Sequence, residues 1–502
     1  MLGHYQKSRE RKSAEMNIKF YLNNDLITLS EPDTMITLLD FLRLDCRLTG
    51  TKEGCAEGDC GACTILIGSL NKEKKIVYKT ANSCIMFLPS IANSHVISVE
   101  GLLRGASGEL HPVQESMVQA SGAQCGFCTP GFIMSLYGLW MNESNLSKQE
   151  IIDSLQGNLC RCTGYGPIIE AALKINQLIG AIGNEQARYK VQWETKLKQL
   201  SVNKNQKQAS LQKTFFLPKA VTELRSILAN NKGATMVAGS TDVGLWVNKH
   251  FKNITPAIFL GQINELKTIK IQKNRIVIGS MVTYSDLQVV LPQYFPALEQ
   301  YINQIGGDQI RNMGTIGGNI ANGSPIGDLA PVLIALGTKM TLSSIVGSRK
   351  IDVEAFFKSY GCQDIKSEEF ILNFEIPIPK RNDILLKVYK VSKRRYEDIS
   401  TVSAAFYLQP NENGIPKVRF SFGGMAGIPK RALTLEKVFI EKLNSIDQND
   451  IIMNSITSDF QPLTDCRGSS TFRLKLAQNL FKKFFLFFDR RMEFDIEREK
   501  VL

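Results

Sequence analysis

Apolar and polar positions change their period several times along the chain, and each change marks a different kind of element. From Asn17 to Val99 the runs are short. IKFYL at 18–22 and LITL at 26–29, separated by the turn residues Asn23, Asn24 and Asp25, predict a hairpin. TMITLLDFL at 34–42 repeats its apolar residues at helical spacing, and TILIG at 64–68 and KIVYK at 75–79 add two strands. Residues 16–104 therefore read as a small mixed α/β domain wrapped around one loop. From His111 the period becomes helical, in HPVQESMVQA at 111–120 and PGFIMSLYGLW at 130–140. SKQEIIDSL at 147–155 opens with a capping box from Ser147 to Glu150, and PIIEAALKIN at 167–176 starts on Pro167, a favoured first position. A four-helix bundle over 105–182 follows. Residues 183–214 are polar and lysine-rich around NKNQKQ, which is linker composition. A further domain spans 215–382. Beyond it, 383–502 alternates strand-like runs, SAAFYL at 403–408 and KVRFSFGG at 417–424, with amphipathic helices, an α+β pattern in which FFLFF at 484–488 reads as a packed helix. Residues 1–15 are charged, without the apolar stretch of a secretory signal, and read as a tail with Met16 as an alternative start.

Composition narrows the class. The 502 residues are 43% hydrophobic and 22% charged, as in soluble globular proteins, and no apolar run approaches the roughly 20 residues of a membrane span. A cytoplasmic protein is expected. A net charge of +12 raises nucleic acid as a partner, yet no zinc finger or RNA-binding signature accompanies it. A positive potential drawing in nucleotide phosphates or an acidic partner fits better.

Eight of the 11 cysteines fall into two sets of four: Cys55, Cys60, Cys63 and Cys84, then Cys125, Cys128, Cys160 and Cys162. In the first set C-x4-C-x2-C with a distant fourth cysteine is the plant-type ferredoxin spacing of a 2Fe-2S centre. Three thiolates must converge from the single loop TKEGCAEGDCGACT, and Gly54, Gly58 and Gly61 allow the backbone to curl around them. The second set lies in QCGFCTPG and NLCRCTGY, at predicted helix ends where N–H groups and positive partial charge favour thiolates. Structural zinc, giving a metal-stabilised scaffold and no enzyme, expects paired knuckles that this spacing matches poorly. Disulfides are disfavoured by an odd cysteine count in a long chain without a secretory signal. Cys46, Cys362 and Cys466 are expected to be buried apolar thiols.

Two glycine-rich turns stand in the 215–382 region: MVAGSTDVG at 236–244 and RNMGTIGGNIANGSPIGD at 311–328. The first follows a predicted strand and opens a helix, so its N–H groups could cradle a diphosphate, though glycine turns also serve simple chain reversal. Neither fits a Rossmann fingerprint or a P-loop.

Taken together, GCAEGDCGACT, QCGFCTPG, NLCRCTGY and GGNIANGSPIGD resemble the molybdenum hydroxylase family, in the arrangement of the small iron–sulfur/FAD subunit of bacterial xanthine dehydrogenases. The likeness covers residue 17 to about 490. It implies a β-grasp 2Fe-2S ferredoxin domain, a four-helix-bundle 2Fe-2S domain, a FAD domain of the vanillyl-alcohol-oxidase type and a C-terminal α+β flavoprotein domain. It further implies that Met236, Val237, Ala238, Gly239, Ser240, Thr241, Asp242 and Val243 line the FAD diphosphate. Thr315, Gly318 and Asn319 would lie along the cofactor, Asp328 would accept from a ribose hydroxyl, and Lys390 would serve the adenine or diphosphate end. QIGGDQ at 304–309 departs from the family by lacking the aromatic that relatives place near the adenine. No histidine or cysteine in either turn is placed to attach the flavin covalently. Gln124 resembles the family glutamine that hydrogen-bonds the pterin across a subunit boundary. The molybdopterin, and with it every catalytic residue, would sit in a separate large subunit, in a heterotetramer of two small and two large chains. NAD would take the electrons of hypoxanthine and xanthine oxidation. Other members of the class act on aldehydes or N-heterocycles, and oxygen is an alternative acceptor.

Overall fold

The structure is a computed structural model that describes residues 17–102, 109–142, 147–202, 214–379, 384–410, 415–441 and 449–489. The predicted tail at 1–15 and the stretch 203–213 of the predicted linker lie outside the described residues. The chain divides into two compact units, Met1–Leu217 with Val243–Phe259, and Pro218–Asp242 with Leu260–Leu502.

In the first unit the predicted hairpin forms as β1 (Asn17–Leu22) and β2 (Asp25–Ser30), followed by β3 (Thr64–Leu70), β4 (Ile76–Asn82) and β5 (His95–Ile97). Their order is β2-β1-β5-β3-β4, with β5 parallel to β1 and antiparallel to β3. The helix expected at 34–42 is short: Thr37 caps Leu38–Asp40, and the chain then widens through Phe41–Asp45, where Cys46 N–H reaches back to Phe41 O at 3.0 Å. Four helices follow, α1 (Pro112–Gln119), α2 (Thr129–Asn142), α3 (Lys148–Ser154) and α4 (Gly166–Val202). The Ser147/Glu150 capping box is present. Phe132, Leu136, Tyr137 and Trp140 of α2 enter the same core as Leu66, Ile76 and Tyr78 of the sheet. The sheet and the bundle thus have one hydrophobic interior.

The expected linker is corrected by α4, which runs through residues 183–202 as helix. Tyr189, Trp193, Leu197 and Leu200 recur at three- and four-residue spacing on its inner face, and Trp193 is fully buried. Its indole stacks on His95 at 3.6 Å, and the Lys196 ammonium lies 4.0 Å from the indole ring. Burial of that face stabilises the helix despite its polar composition. A second difference is that Val243–Phe259, within the expected flavin region, packs in the cluster unit, where Ala257 and Ile258 pair with Phe215 and Phe216.

The second unit contains an antiparallel sheet of β6 (Ile269–Gln272), β7 (Arg275–Gly279), β8 (Lys339–Ser343), β9 (Ser348–Asp352) and β10 (Phe370–Pro377), ordered β9-β8-β10-β7-β6. Helices α5 (Ile316–Asn322) and α6 (Leu329–Ala335) carry the second glycine turn and the segment after it. The C-terminal part is an antiparallel sheet of β11 (Leu385–Val391), β12 (Val402–Gln409), β13 (Lys417–Gly423) and β14 (Lys430–Arg431). It is covered by α7 (Ser470–Asp489), whose Phe481 and Phe484 are fully buried against Phe406 and Phe420. The phenylalanine run therefore packs on this sheet through Phe484, with Phe485 and Phe488 half-buried beside it, and no helix among the described residues is long and apolar enough to cross a membrane. Cys362 and Cys466 correct the expectation of burial: both are exposed, in a short edge strand and a surface turn. Cys46 is half-buried, and its burial beside Asp45 pushes the thiol up to about 11.

Candidate functional site

Between Cys55 and Cys63 the loop that leads into β3 curls because three residues take left-handed backbone angles: Ala56 at φ 56°, Gly58 at 83° and Gly61 at 69°. Gly54, by contrast, is needed for space, since a Cβ there would stand 2.7 Å from Cys60 Sγ. The curl turns N–H groups inward, and those of Glu57, Asp59 and Cys60 approach Cys55 Sγ at 3.5, 3.4 and 3.4 Å. Cys84 arrives from the end of β4 with its Sγ 3.3 Å from that of Cys63, and Asn82 donates to Cys63 Sγ at 3.6 Å. Hydrogen bonds from Cys60 and Cys84 hold Cys55 below the ordinary thiol range, and one from Cys84 does the same for Cys63. The donors Cys60 and Cys84 are raised in return. Four converging thiols, two of them already held toward thiolate and one met by backbone donors aimed at its sulfur, fit a thiolate-ligated cluster. Among the described residues no group of His, Cys, Asp or Glu side chains is spaced to hold a single metal ion.

The second nest is assembled from two helix approaches. Cys125 and Cys128 precede α2, and Cys160 and Cys162 precede α4, with Gly126 and Gly164 at φ 82° and 66°. Cys160 Sγ lies 3.1 Å from Thr163 Oγ1, and the Cys160 N–H donates to the Tyr165 hydroxyl oxygen at 3.1 Å. Burial, reinforced by Cys160, pushes the Cys128 thiol up to about 12, whereas hydrogen bonding to Cys125 raises Cys162. Cys125 and Cys162 are exposed, as is Gln124, and Phe127, Leu159 and Tyr165 expose apolar surface beside them.

The two nests touch through backbone. Leu159 N–H donates to Cys60 O at 3.0 Å, and Asn158 donates to Gly61 O at 3.1 Å while accepting from Ser135 at 2.6 Å. A Cβ on Gly61 would stand 2.0 Å from Gly157 O, and one on Gly131 2.2 Å from Gly61 O. Asn158, immediately before the cysteines of NLCRC, was not anticipated as a bridge, because its partners Gly61 and Thr64 lie 97 and 94 residues away in sequence.

In the second unit the loop Met236–Asp242 lies against the second glycine turn: a Cβ on Gly239 would stand 1.7 Å from Met313 O, and Asn322 donates to Asp242 at 3.1 Å. Ser240 takes a left-handed φ of 63°. Thr315 caps α5 by accepting from Gly318 N–H at 3.0 Å. Asp328 binds Lys390 at 2.8 Å and Ser400 at 2.5 Å, while its carbonyl accepts from Tyr301 at 2.7 Å. The structure thus brings Lys390 to Asp328 as a buried ion pair, and Ser400 joins as a partner the sequence did not reveal. Tyr301, Gln304, Tyr389, Lys390 and Phe487 line a cavity of about 590 Å³ at this point. Aromatic walls therefore exist although 304–309 has none. Asn319 Oδ1 and Ser280 Oγ are buried with no hydrogen-bond partner among the described residues. Unmatched polar atoms beside a tight glycine turn and a carboxylate fit a bound nucleotide cofactor such as FAD. Val243, expected with this loop, opens the helix Val243–Asn248 of the first unit.

Comparison with known proteins agrees with this layout. Family models match in order a 2Fe-2S iron-sulfur cluster binding domain at 20–88 and a 2Fe-2S binding domain at 98–173. They continue with the FAD binding domain in molybdopterin dehydrogenase at 209–379 and the CO dehydrogenase flavoprotein C-terminal domain at 387–487. Similar proteins include the xanthine dehydrogenase of Emericella nidulans, 30% identical over 93% of this chain and 38% of its own length. The xanthine dehydrogenase/oxidase of Gallus gallus is 30% identical over 93% and 40%. The chain spans about two-fifths of the length of these relatives. Among solved structures, the carbon monoxide dehydrogenase of Hydrogenophaga pseudoflava shares the fold of one portion, at TM-score 0.51 and 22% identity over 55% of this chain and 96% of that one. The four domains in this order make the chain a member of the molybdenum hydroxylase family, corresponding to its iron–sulfur and flavin portion.

Proposed function

We propose that the chain is the electron-transfer subunit of a xanthine dehydrogenase, carrying electrons from a molybdopterin centre on a separate cytoplasmic partner chain to NAD as hypoxanthine and xanthine are oxidised to urate. The supporting observation is the pair of four-thiol nests in backbone contact, in a chain that also carries the flavin domain. When bound, the clusters carry electrons singly and the flavin pairs them for a hydride acceptor. The residues have separable tasks. The N–H groups of Glu57, Asp59 and Cys60 stabilise negative charge on Cys55, and Asp328, fixed by Lys390 and Ser400, presents a carboxylate to a ribose hydroxyl. The exposed Gln124 and its apolar neighbours Phe127, Leu159 and Tyr165 supply a surface for the molybdopterin-bearing partner, in a complex of two chains of each kind. The test is purification of the chain alone. It should oxidise NADH with an artificial dye and leave xanthine untouched, and addition of the partner should give xanthine-dependent NAD reduction. Xanthine turnover by the isolated chain would refute the division of labour, and absence of the NADH–dye reaction from flavin-loaded protein would refute NAD as acceptor.

A further inference from the structure

The segment that leaves the flavin loop docks on the ferredoxin-type nest. Helix Val243–Asn248 lies so close to Ile85 that a Cβ on Gly244 would stand 2.8 Å from Ile85 O, one residue after Cys84. At the end of this helix the Asn248 carboxamide uses both of its N–H donors, one to Cys84 O at 2.7 Å and one to Ala56 O at 3.1 Å. The next residue, Lys249, places its ammonium 2.6 Å from Cys55 O and 3.8 Å from Glu57. One amide therefore ties the loop after Cys55 to the distant fourth cysteine.

Ala56 O and Glu57 N–H belong to the same peptide group, and that N–H is one of the donors to Cys55 Sγ. A hydrogen bond accepted by a peptide oxygen polarises the group and strengthens its N–H as a donor. The path Asn248 Nδ2–H to Ala56 O, then Glu57 N–H to Cys55 Sγ, thus carries polarisation from the helix Val243–Asn248 to a cluster sulfur. Donors to cluster sulfurs, and positive charge nearby, favour the reduced and more negative state. We infer that Asn248 is a positioning residue that, assisted by the charge of Lys249, raises the reduction potential of the ferredoxin-type cluster and thereby favours electron arrival at the centre whose backbone is tied to the segment following the flavin loop.

This inference rests on the reading of Cys55, Cys60, Cys63 and Cys84 as a 2Fe-2S site, and the experiment separates the two. Cluster-loaded full-length protein is poised over a range of potentials and followed by paramagnetic resonance, with the helical-domain cluster as internal reference. Asn248→Ala should move the ferredoxin-type midpoint downward, so that less than half of that cluster is reduced at the wild-type midpoint, while the reference stays in place. Lys249→Met, at an exposed position, removes the ammonium together with its bond to Cys55 O and should shift it in the same direction by less. Unmoved midpoints in both variants would overturn the inference and leave the cluster assignment standing. If Asn248→Ala fails to load its cluster, the Lys249→Met midpoint and that of Asn248→Gln, which keeps the donor group, decide the outcome: a downward shift in Lys249→Met with a smaller one in Asn248→Gln supports it, and no shift in either refutes it. Wild-type protein with one signal would instead remove the underlying assignment.

Discussion

The two cysteine nests are made for the same kind of ligand and are built in opposite ways. In the first, Cys63 and Cys84 are 1% and 2% exposed, and one continuous loop supplies three N–H donors to a single sulfur. In the second, Cys125 and Cys162 are exposed, each pair of thiols precedes a helix, and side chains such as Thr163 and Tyr165 do the orienting. The difference teaches that loop curvature makes an interior, shielded site, whereas paired helix approaches leave sulfur at a surface where another protein can reach it. Low dielectric strengthens the Asn82 bond to the buried Cys63 sulfur of the inner nest, and water weakens the exposed Cys160 N–H bond of the outer one.

The most direct way to break the comparison is to remove one ligand at a time. Cys60→Ser should abolish one of two paramagnetic signals and spare the other, and Cys128→Ser should do the reverse; simultaneous loss of both in a folded variant would deny that the nests are independent. Iron chelation under reducing conditions should sharpen it by rate. The helical-domain signal should decay at least about tenfold faster than the ferredoxin-type one, in keeping with the greater reactivity of accessible sulfur, and equal decay would show that exposure does not govern loss.

A smaller effect is expected at the joint. Gly61→Ala forces a left-handed residue and a Cβ into Gly157 O, and should cost on the order of 3 kcal/mol. Thermal unfolding measures this, and both signals should broaden together because the contact is shared. Acid gives the smallest change over any single pH unit. Burial lowers His95 to about 3, so the folded protein refuses a proton that the unfolded chain takes near pH 6.5. Stability should be level above that value and fall by about 1.4 kcal/mol per pH unit between about 6 and 3, where the folded imidazole takes its proton as well. Denaturant titrations should show the slope, and His95→Asn should flatten it; an unchanged slope would assign the acid sensitivity elsewhere.

The cysteine sets and glycine turns were legible because the chemistry demands fixed residue types at short range. Even there, local reasoning misplaced part of the curvature, which falls on Ala56 and not on Gly54. What remained hidden was long-range. Lysines and glutamines concealed the second half of α4, although Tyr189, Trp193 and Leu197 carried its helical period in plain view. Ser400 meets Asp328 across 72 residues and Asn248 meets Ala56 across 192, and no local pattern encodes such partners. Lys390 was found as a candidate, but its ion pair with Asp328 required the fold.

The interior shared by the β-sheet and the helical bundle has a consequence for how such chains are rearranged. A fragment cut before Thr129 would leave Leu66, Ile76 and Tyr78 without the Phe132, Leu136 and Trp140 that cover them, so neither cluster module is a separable part. Grafting one alone onto another reductase should yield an aggregating product. The transplantable cassette is the pair of modules together with the Trp193 end of α4, and a synthetic electron-transfer chain built from this protein would have to take all of it or none.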